Sequence, residues 1–218
     1  MRCVILSNGE YGDLEAYRKI FKNDDTIVCA DGGANYAFKL GLIPDTIIGD
    51  MDSILPEVME YFAASNVVMK KYPRQKDFTD TQLALTIAQK WGAAEILMLG
   101  SLGGRLDHAM CNLYCGIEVV NNNIKLTYFT PECWVYVVNR ELVINGRQGD
   151  VVSIITLTQE AHGVSISGFE YSLDSTLLDK SNPFTISNVL TGDTGRISLE
   201  EGILLAFHYH TETSEKSL

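Results

Sequence analysis

Aspartates supply most of the chemistry available to this sequence. Asp31, Asp50, Asp52, Asp77, Asp80 and Asp107 stand where apolar runs end or helical patterns begin, and Arg74, Lys76 and Arg105 are interspersed with them. The densest part is the stretch VCADGGANYAFKLGLIPDTIIGDMDS, from Val28 to Ser53. Its two apolar runs, Ile27 to Ala30 and Ile47 to Ile48, both stop at an acid, with Gly32 and Gly33 after the first and Gly49 inside the second. Runs of this kind read as buried parallel strands that end in loops. Ligands of open α/β sheets lie beyond the carboxyl ends of the strands, so Asp31, Asp50 and Asp52 are expected at one mouth. Carboxylates gathered there repel one another unless a cation sits among them. A hard divalent ion, Mg²⁺, is the expected occupant, since it bridges one or two carboxylates to substrate phosphates. Taken singly, Gly-Asp-Met-Asp also suits an ordinary surface turn.

The elements that must position these residues follow one another as strand, loop and helix. Cys3 to Leu6 form a first strand ending in Ser7-Asn8-Gly9, a turn whose amides can receive phosphate, and Leu14, Tyr17 and Phe21 then share a helical face. A helix from Ala34 to Leu40 stops at Gly41, and Pro44 blocks continuation. Ser53 can cap a helix with Pro56 in its first turn and Val58 and Phe62 inward; Val67 to Met69 make the next strand. Thr79 is placed to cap the following helix, with Asp80 in its first turn and Leu83, Ile87 and Trp91 on one face. Asp77 and Asp80 would serve as capping acids even without a ligand. Ile96 to Leu99 then runs into Gly100-Ser-Leu-Gly103-Gly104-Arg105-Leu-Asp107-His108, where glycines allow close backbone approach and Arg105 suits bidentate phosphate binding. His108, beside Asp107 at a helix start, reads as a hydrogen-bonded structural residue.

Beyond Ile124 the texture changes. Short apolar runs (Leu126 to Phe129, Trp134 to Val138, Leu142 to Ile144, Val151 to Ile155, Val164 to Ile166, Arg196 to Leu199, Ile203 to Phe207) alternate with turns and have no helical period. The expected fold is therefore α/β: an N-terminal, doubly wound, mostly parallel sheet with helices on both faces over residues 1–130. A smaller all-β sandwich over residues 131–218 follows it, with Pro131 at the boundary. The polar tail after His210 is expected to fray.

Composition narrows the function classes. The 218 residues are 46% hydrophobic and 21% charged, ordinary for a globular protein with a substantial core. A net charge of −11 disfavours nucleic acid and anionic membranes as partners, whereas a phosphate-bearing small molecule is compatible once a metal inverts the local field. No apolar run approaches the ~18 residues of a membrane span, and a cytoplasmic location is expected. The five cysteines read as reduced, and Cys111 and Cys115 lack a second pair at zinc spacing. No Gly-x4-Gly-Lys-Ser/Thr loop, Gly-x-Gly-x-x-Gly or Gly-x-Ser-x-Gly motif occurs. Many acids with a few bases is the inventory of metal-assisted phosphoryl chemistry.

Five motifs taken together make the resemblance specific. Ala-Asp31-Gly-Gly-Ala-Asn35, Pro44-Asp-x-Ile-Ile-Gly49-Asp50-x-Asp52-Ser53, Asp77-x-Thr79-Asp80, Gly103-Gly104-Arg105-x-Asp107-His108 and Ser187-Asn188 occur in an order and spacing that resemble the thiamine pyrophosphokinase family along the whole chain. The resemblance implies diphosphate transfer from ATP to the thiamine hydroxyl, yielding thiamine diphosphate and AMP, in a homodimer with active sites at the subunit interface. By position, Asp31, Asp50, Asp52 and Asp80 resemble the Mg²⁺ and diphosphate site. Arg105 and Asp107 resemble a phosphate clamp and its orienting partner. Gly32, Asp77 and Thr79 would bind substrate, and Ser187 and Asn188 would contact thiamine from the β domain. After Ser187-Asn188, where animal members carry a stacking aromatic, this chain has Val189-Leu190-Thr191, leaving Tyr171, Phe184 or Trp134 for that role. Asp80 and Asp77 both remain open as acceptor of the hydroxyl proton. A Mg²⁺-dependent phosphohydrolase and a non-catalytic nucleotide sensor are the alternatives.

Overall fold

Strand β1 (Arg2–Leu6) is buried at every position but its first, and so are β2 (Thr26–Ala30) and β5 (Glu95–Leu99). Strands without a polar face must be covered on both sides, and the sheet they form is parallel throughout. Together with β3 (Thr46–Gly49), β4 (Val68–Lys71) and β6 (Lys125–Phe129) they stand in the order β6-β5-β1-β2-β3-β4. The computed structural model describes residues 1–75 and 77–210, and the chain divides into two compact units, Met1–Pro131 and Glu132–Leu218. Lys76 and the tail expected to fray, residues 211–218, lie outside the described residues.

Five helices connect the parallel strands: α1 (Leu14–Arg18), α2 (Gly33–Leu40), α3 (Pro56–Ala64), α4 (Asp80–Lys90) and α5 (Leu106–Asn121). Helix α2 ends as expected, with Gly41 at φ 72° closing it. A Cβ on Gly33 would stand 2.0 Å from the Leu6 carbonyl oxygen, so glycine is what lets α2 begin directly against β1. Helix α4 opens with a complete capping box, Thr79 and Gln82 each bonding the other's backbone N–H.

Several local expectations shift. The cap of α3 is Leu55, with no side-chain bond, because the Ser53 hydroxyl instead donates to Asp52 Oδ1 at 3.0 Å. Helix α1 ends at Arg18, so Phe21 lies beyond it while Tyr17 is fully buried. On α4 the buried side is Ala84, Leu85, Ile87 and Ala88; Trp91 is exposed, with Lys70 Nζ 5.5 Å from its ring centroid. Strand β6, which shares the β-rich texture, pairs parallel with β5 and belongs to the first unit, because α5 supplies the crossover a parallel partner needs. None of the five cysteines forms a disulfide, and Cys111 is exposed on α5 and not in the core.

The second unit is antiparallel. One sheet has the order β12-β9-β14-β7, formed by β7 (Cys133–Val138), β9 (Val151–Thr156), β12 (Asn188–Val189) and β14 (Leu204–Tyr209). The other is β11-β10-β13-β8, from β8 (Glu141–Asn145), β10 (Glu160–Ser167), β11 (Leu173–Asp179) and β13 (Thr194–Ser198). Val152, Ile154, Leu204 and Ala206 of the first sheet share one core with Ile144, Val164, Ile166 and Ile197 of the second, which makes the unit a β-sandwich. Strand β11 escapes a reading by alternation, since it is an edge strand with one buried residue, Leu178.

Candidate functional site

The parallel sheet reverses its order between β1 and β5, and there the loops that leave these two strands separate. They stay joined by short bonds: Ser7 N–H donates to the Leu99 carbonyl at 2.9 Å and Gly9 N–H to the Gly100 carbonyl at 2.9 Å. The buried Tyr11 hydroxyl lies within 3.2 Å of both the Ser7 and Leu99 carbonyls, tying the turn to the end of β5. Over this crevice lies a cavity of about 750 Å³. Asp31, Asp50, Asp52, Thr79, Asp80 and Arg105 line it, together with the Ser7-Asn8-Gly9 turn, Arg74 and His108.

Asp31 sits at φ 46° directly after β2, its N–H held by the Ile48 carbonyl at 2.7 Å. Gly49, at φ 143°, leaves β3 beside it: a Cβ there would fall 2.9 Å from Asp31 Cβ and 3.1 Å from Asp80 Oδ1. Glycine thus keeps the space in which Asp31 and Asp80 face each other. Asp31, Asp50 and Asp52 each offer an oxygen within 4.8 Å of the others. Asp80 is outside that trio, although it is close enough to act electrostatically on Asp31.

Burial pushes the Asp31 carboxyl above the usual carboxylate range; bonds from Ser53 and Gly32 pull the other way, and the Asp80 charge adds to the rise. Its Oδ1 is buried with no hydrogen-bond partner. A buried carboxylate oxygen without a donor is costly, and a hard cation held between it and the nearby Asp50 and Asp52 oxygens would satisfy it. The trio therefore fits Mg²⁺ in donor type and in arrangement. The loop is held from outside the cluster: Asn35 Nδ2 donates to the Ser53 carbonyl at 2.9 Å, and its Oδ1 accepts from Leu55 N–H at 3.0 Å. Asp52 N–H reaches back to Asp50 Oδ1 at 3.2 Å, and Arg74 approaches Asp52 at 3.6 Å.

Arg105 and Asp107 form a two-pronged pair, Nε to Oδ1 at 3.1 Å and Nη2 to Oδ2 at 2.6 Å, and the guanidinium brings the Asp107 carboxyl down to about 2. Arg105 faces the cavity, whereas Asp107, Asp77 and Gly32 are not part of its lining; Asp77 and Asp107 are exposed. Residues that the sequence reading passed over also line it, among them Glu10, Tyr36 and Phe78. Glu10 follows the Ser-Asn-Gly turn and was recoverable from that position. Tyr36, stacked on Tyr11 with centroids 3.9 Å apart, was not, because only the docking of α2 turns it there.

Ser187 and Asn188 belong to the second unit. Ser187, at φ 56°, is exposed, and its N–H donates to Ser153 Oγ at 2.9 Å. Asn188 is buried, and its amide grips the backbone of Tyr171: Oδ1 accepts from Tyr171 N–H at 3.0 Å and Nδ2 donates to the Tyr171 carbonyl at 2.7 Å. The Tyr171 ring so held is exposed, as is Phe184; Trp134, on β7, is half-buried.

A doubly wound α/β unit with an acid-lined mouth at its switch point, followed by a β-sandwich, defines the class of this two-unit protein. Residues 17–128 match the model of the thiamin pyrophosphokinase catalytic domain, and residues 138–204 that of the thiamin pyrophosphokinase vitamin B1 binding domain. The chain belongs to the thiamine pyrophosphokinase family and is an enzyme. It is 28% identical over 203 residues to thiamine pyrophosphokinase 1 of Oryza sativa subsp. japonica, covering 81% of this chain and 76% of the rice protein. The thiamine pyrophosphokinase of Bacillus subtilis is 27% identical over 177 residues, covering 80% and 83% of the two chains. The crystal structure of a Bacillus subtilis thiamine pyrophosphokinase superposes with a TM-score of 0.86 at 25% identity, over 97% of this chain and all of the other. Yeast thiamin pyrophosphokinase shares the fold, with a TM-score of 0.77 at 18% identity over 100% and 89% of the two chains. Among the described residues no helix is long and apolar enough to cross a membrane.

Proposed function

We propose that this enzyme transfers a diphosphate group from ATP to the hydroxyl of thiamine, giving thiamine diphosphate and AMP. The observation that carries the reading is the carboxylate trio with its buried, unpartnered Asp31 oxygen, set in a cavity at the sheet's switch point. Asp31, Asp50 and Asp52 would hold Mg²⁺, which when bound shields the triphosphate oxygens from the incoming alcohol. The chain's own residues do the rest. With Ser7 and Gly9 N–H spent on the end of β5, Asn8 N–H in that turn and the Gly100–Gly104 loop offer backbone donors to phosphate. Arg105, pre-oriented by Asp107, neutralises charge on the transferred group. The alcohol must stand within about 3–3.5 Å of the β-phosphorus, in line with departing AMP. Asp80 lines the cavity outside the trio and accepts the hydroxyl proton; Asp77, away from the lining, is the weaker candidate. Ser187, Asn188 and the exposed Tyr171 would receive thiamine, with Asn188 acting through the Tyr171 backbone.

The decisive assay incubates the purified protein with ATP, Mg²⁺ and thiamine and quantifies AMP and thiamine diphosphate. Equimolar products, abolished by a chelator, are expected. Phosphate release without acceptor would indicate a phosphohydrolase, and binding without turnover a sensor. The same reading includes a cytoplasmic homodimer, which light scattering of the purified chain tests as a particle of twice the chain mass.

A further inference from the structure

Away from the carboxylate mouth, the sandwich unit carries a second cluster of metal-ligating side chains. Asp150, His208 and His210 each present one ligand atom within 4.8 Å of the others. The sheet register explains how they meet. His208 pairs with Val152 and Tyr209 with Val151 in the antiparallel ladder of β14 and β9, so the next residue out, His210, comes level with Asp150. Side chains two apart on a strand share a face, which puts all three at one end of the face that carries Val152 and Ile154.

The cluster is a built feature. Asp150 and His208 are each 1% exposed, while His210 is partly open to solvent. The Asp150 carboxylate is aimed by its own turn, Arg147 N–H donating to Oδ2 at 2.9 Å, and by the Leu190 N–H bond to its carbonyl at 2.9 Å. His208 Nε2 lies 2.9 Å and His210 Nδ1 3.9 Å from that same Oδ2. These separations bracket the roughly 3.3 Å edge of a tetrahedron whose bonds are about 2.0–2.1 Å, the Zn–N and Zn–O lengths. Beside them the chain has Gly146, whose Cβ would fall 2.6 Å from Asp150 Oδ2 and 2.9 Å from His208 Nε2. Any larger residue there would fill the space next to two of the three ligand atoms.

We propose that Asp150, His208 and His210 form a binding site for a borderline divalent cation, Zn²⁺ in the first instance, with the fourth position open to water. Two imidazoles and one carboxylate are a donor set suited to Zn²⁺ and not to Mg²⁺, so this site and the trio on the first unit select different ions. In the metal-free protein the carboxylate accepts, so His208 Nε2 carries the proton that the cation must displace. Its Nδ1, which would then hold the proton, is buried with no hydrogen-bond partner. A missing outer partner of this kind lowers metal affinity by 10–100-fold, and micromolar binding is expected instead of the tightest zinc affinities.

The test uses untagged, chelator-stripped, full-length protein titrated with Co²⁺ and then Zn²⁺. One Co²⁺ per chain should bind with a visible tetrahedral d–d band, which Zn²⁺ abolishes, and Zn²⁺ should raise the unfolding temperature. His210 is exposed enough for His210→Ala to fold, and this variant should lose the band, bind at least tenfold more weakly, and lose the Zn²⁺ effect on unfolding. Its Mg²⁺-supported turnover, measured separately, should equal that of the parent. Asp52→Asn should retain the band. No band at stoichiometric Co²⁺, unchanged affinity in His210→Ala, or loss of the band in Asp52→Asn each overturns the proposal, and none of these outcomes bears on diphosphate transfer.

Discussion

Asp31 combines left-handed backbone, burial and an unsatisfied oxygen, and each has a measurable consequence. A carboxyl whose folded value is raised contributes stability below its unfolded value and loses it as pH rises through the raised one. In a chelator, the unfolding temperature of the parent relative to Asp31→Asn should therefore fall as pH rises from about 4 toward neutrality; a constant difference between the two would remove Asp31 as a strained acid. Asp52→Asn, which takes one charge from the trio, should fold normally yet lose about a hundredfold in turnover, roughly 2.7 kcal/mol of transition-state stabilisation. Full steady-state activity in that variant would leave the trio without its catalytic metal. For Arg105 the fork matters more than the charge, since both prongs engage Asp107. Arg105→Lys should lower kcat/KM by roughly tenfold to a thousandfold, and normal kinetics would reduce Arg105 to holding its loop.

At the scale of elements, the informative pieces are those that hold a functional residue from a distance. The capping box on α4 fixes where Asp80 enters the cavity, and Asn35 on α2 clamps the loop that follows β3. On β12, Asn188 spends its amide on the Tyr171 backbone. Asn188→Ala should accordingly raise the KM for thiamine roughly tenfold, about 1.4 kcal/mol, with little change for ATP. Tyr171→Ala should match it without the accompanying loss of stability. An ATP effect in place of the thiamine effect would move the acceptor site off the sandwich. Helix ends and strand runs were legible here because caps, glycines and prolines act locally. The cap of α3 and the inward face of α4 were misread, since Ser53 had a stronger partner in Asp52 and small alanines, not Trp91, fit against the sheet.

For the molecule as a whole, every described residue lining the cavity belongs to the unit Met1–Pro131. A fragment ending at residue 131 should bind ATP with Mg²⁺, detectable by calorimetry, and form no thiamine diphosphate; transfer by that fragment would show that the sandwich is not needed for the acceptor. The sequence by itself determined the class of fold and the residues from which a site could be drawn: acids at the ends of apolar runs, the glycine loop around Arg105, and the change of texture near Pro131 depend only on residue type and spacing. Tertiary structure alone decided that Asp80 stands beside the trio of Asp31, Asp50 and Asp52 while Asp77 lies outside the cavity lining, and that β6 closes the parallel sheet. It also brought Asp150 level with His210, a pairing of residues 60 positions apart that follows from the β9–β14 register. The physical reason is common to all of these. Local spacing fixes the direction of a side chain relative to its own strand or helix, but strand order, register and helix docking are set by burial of apolar surface over the whole unit, and they determine which directions converge.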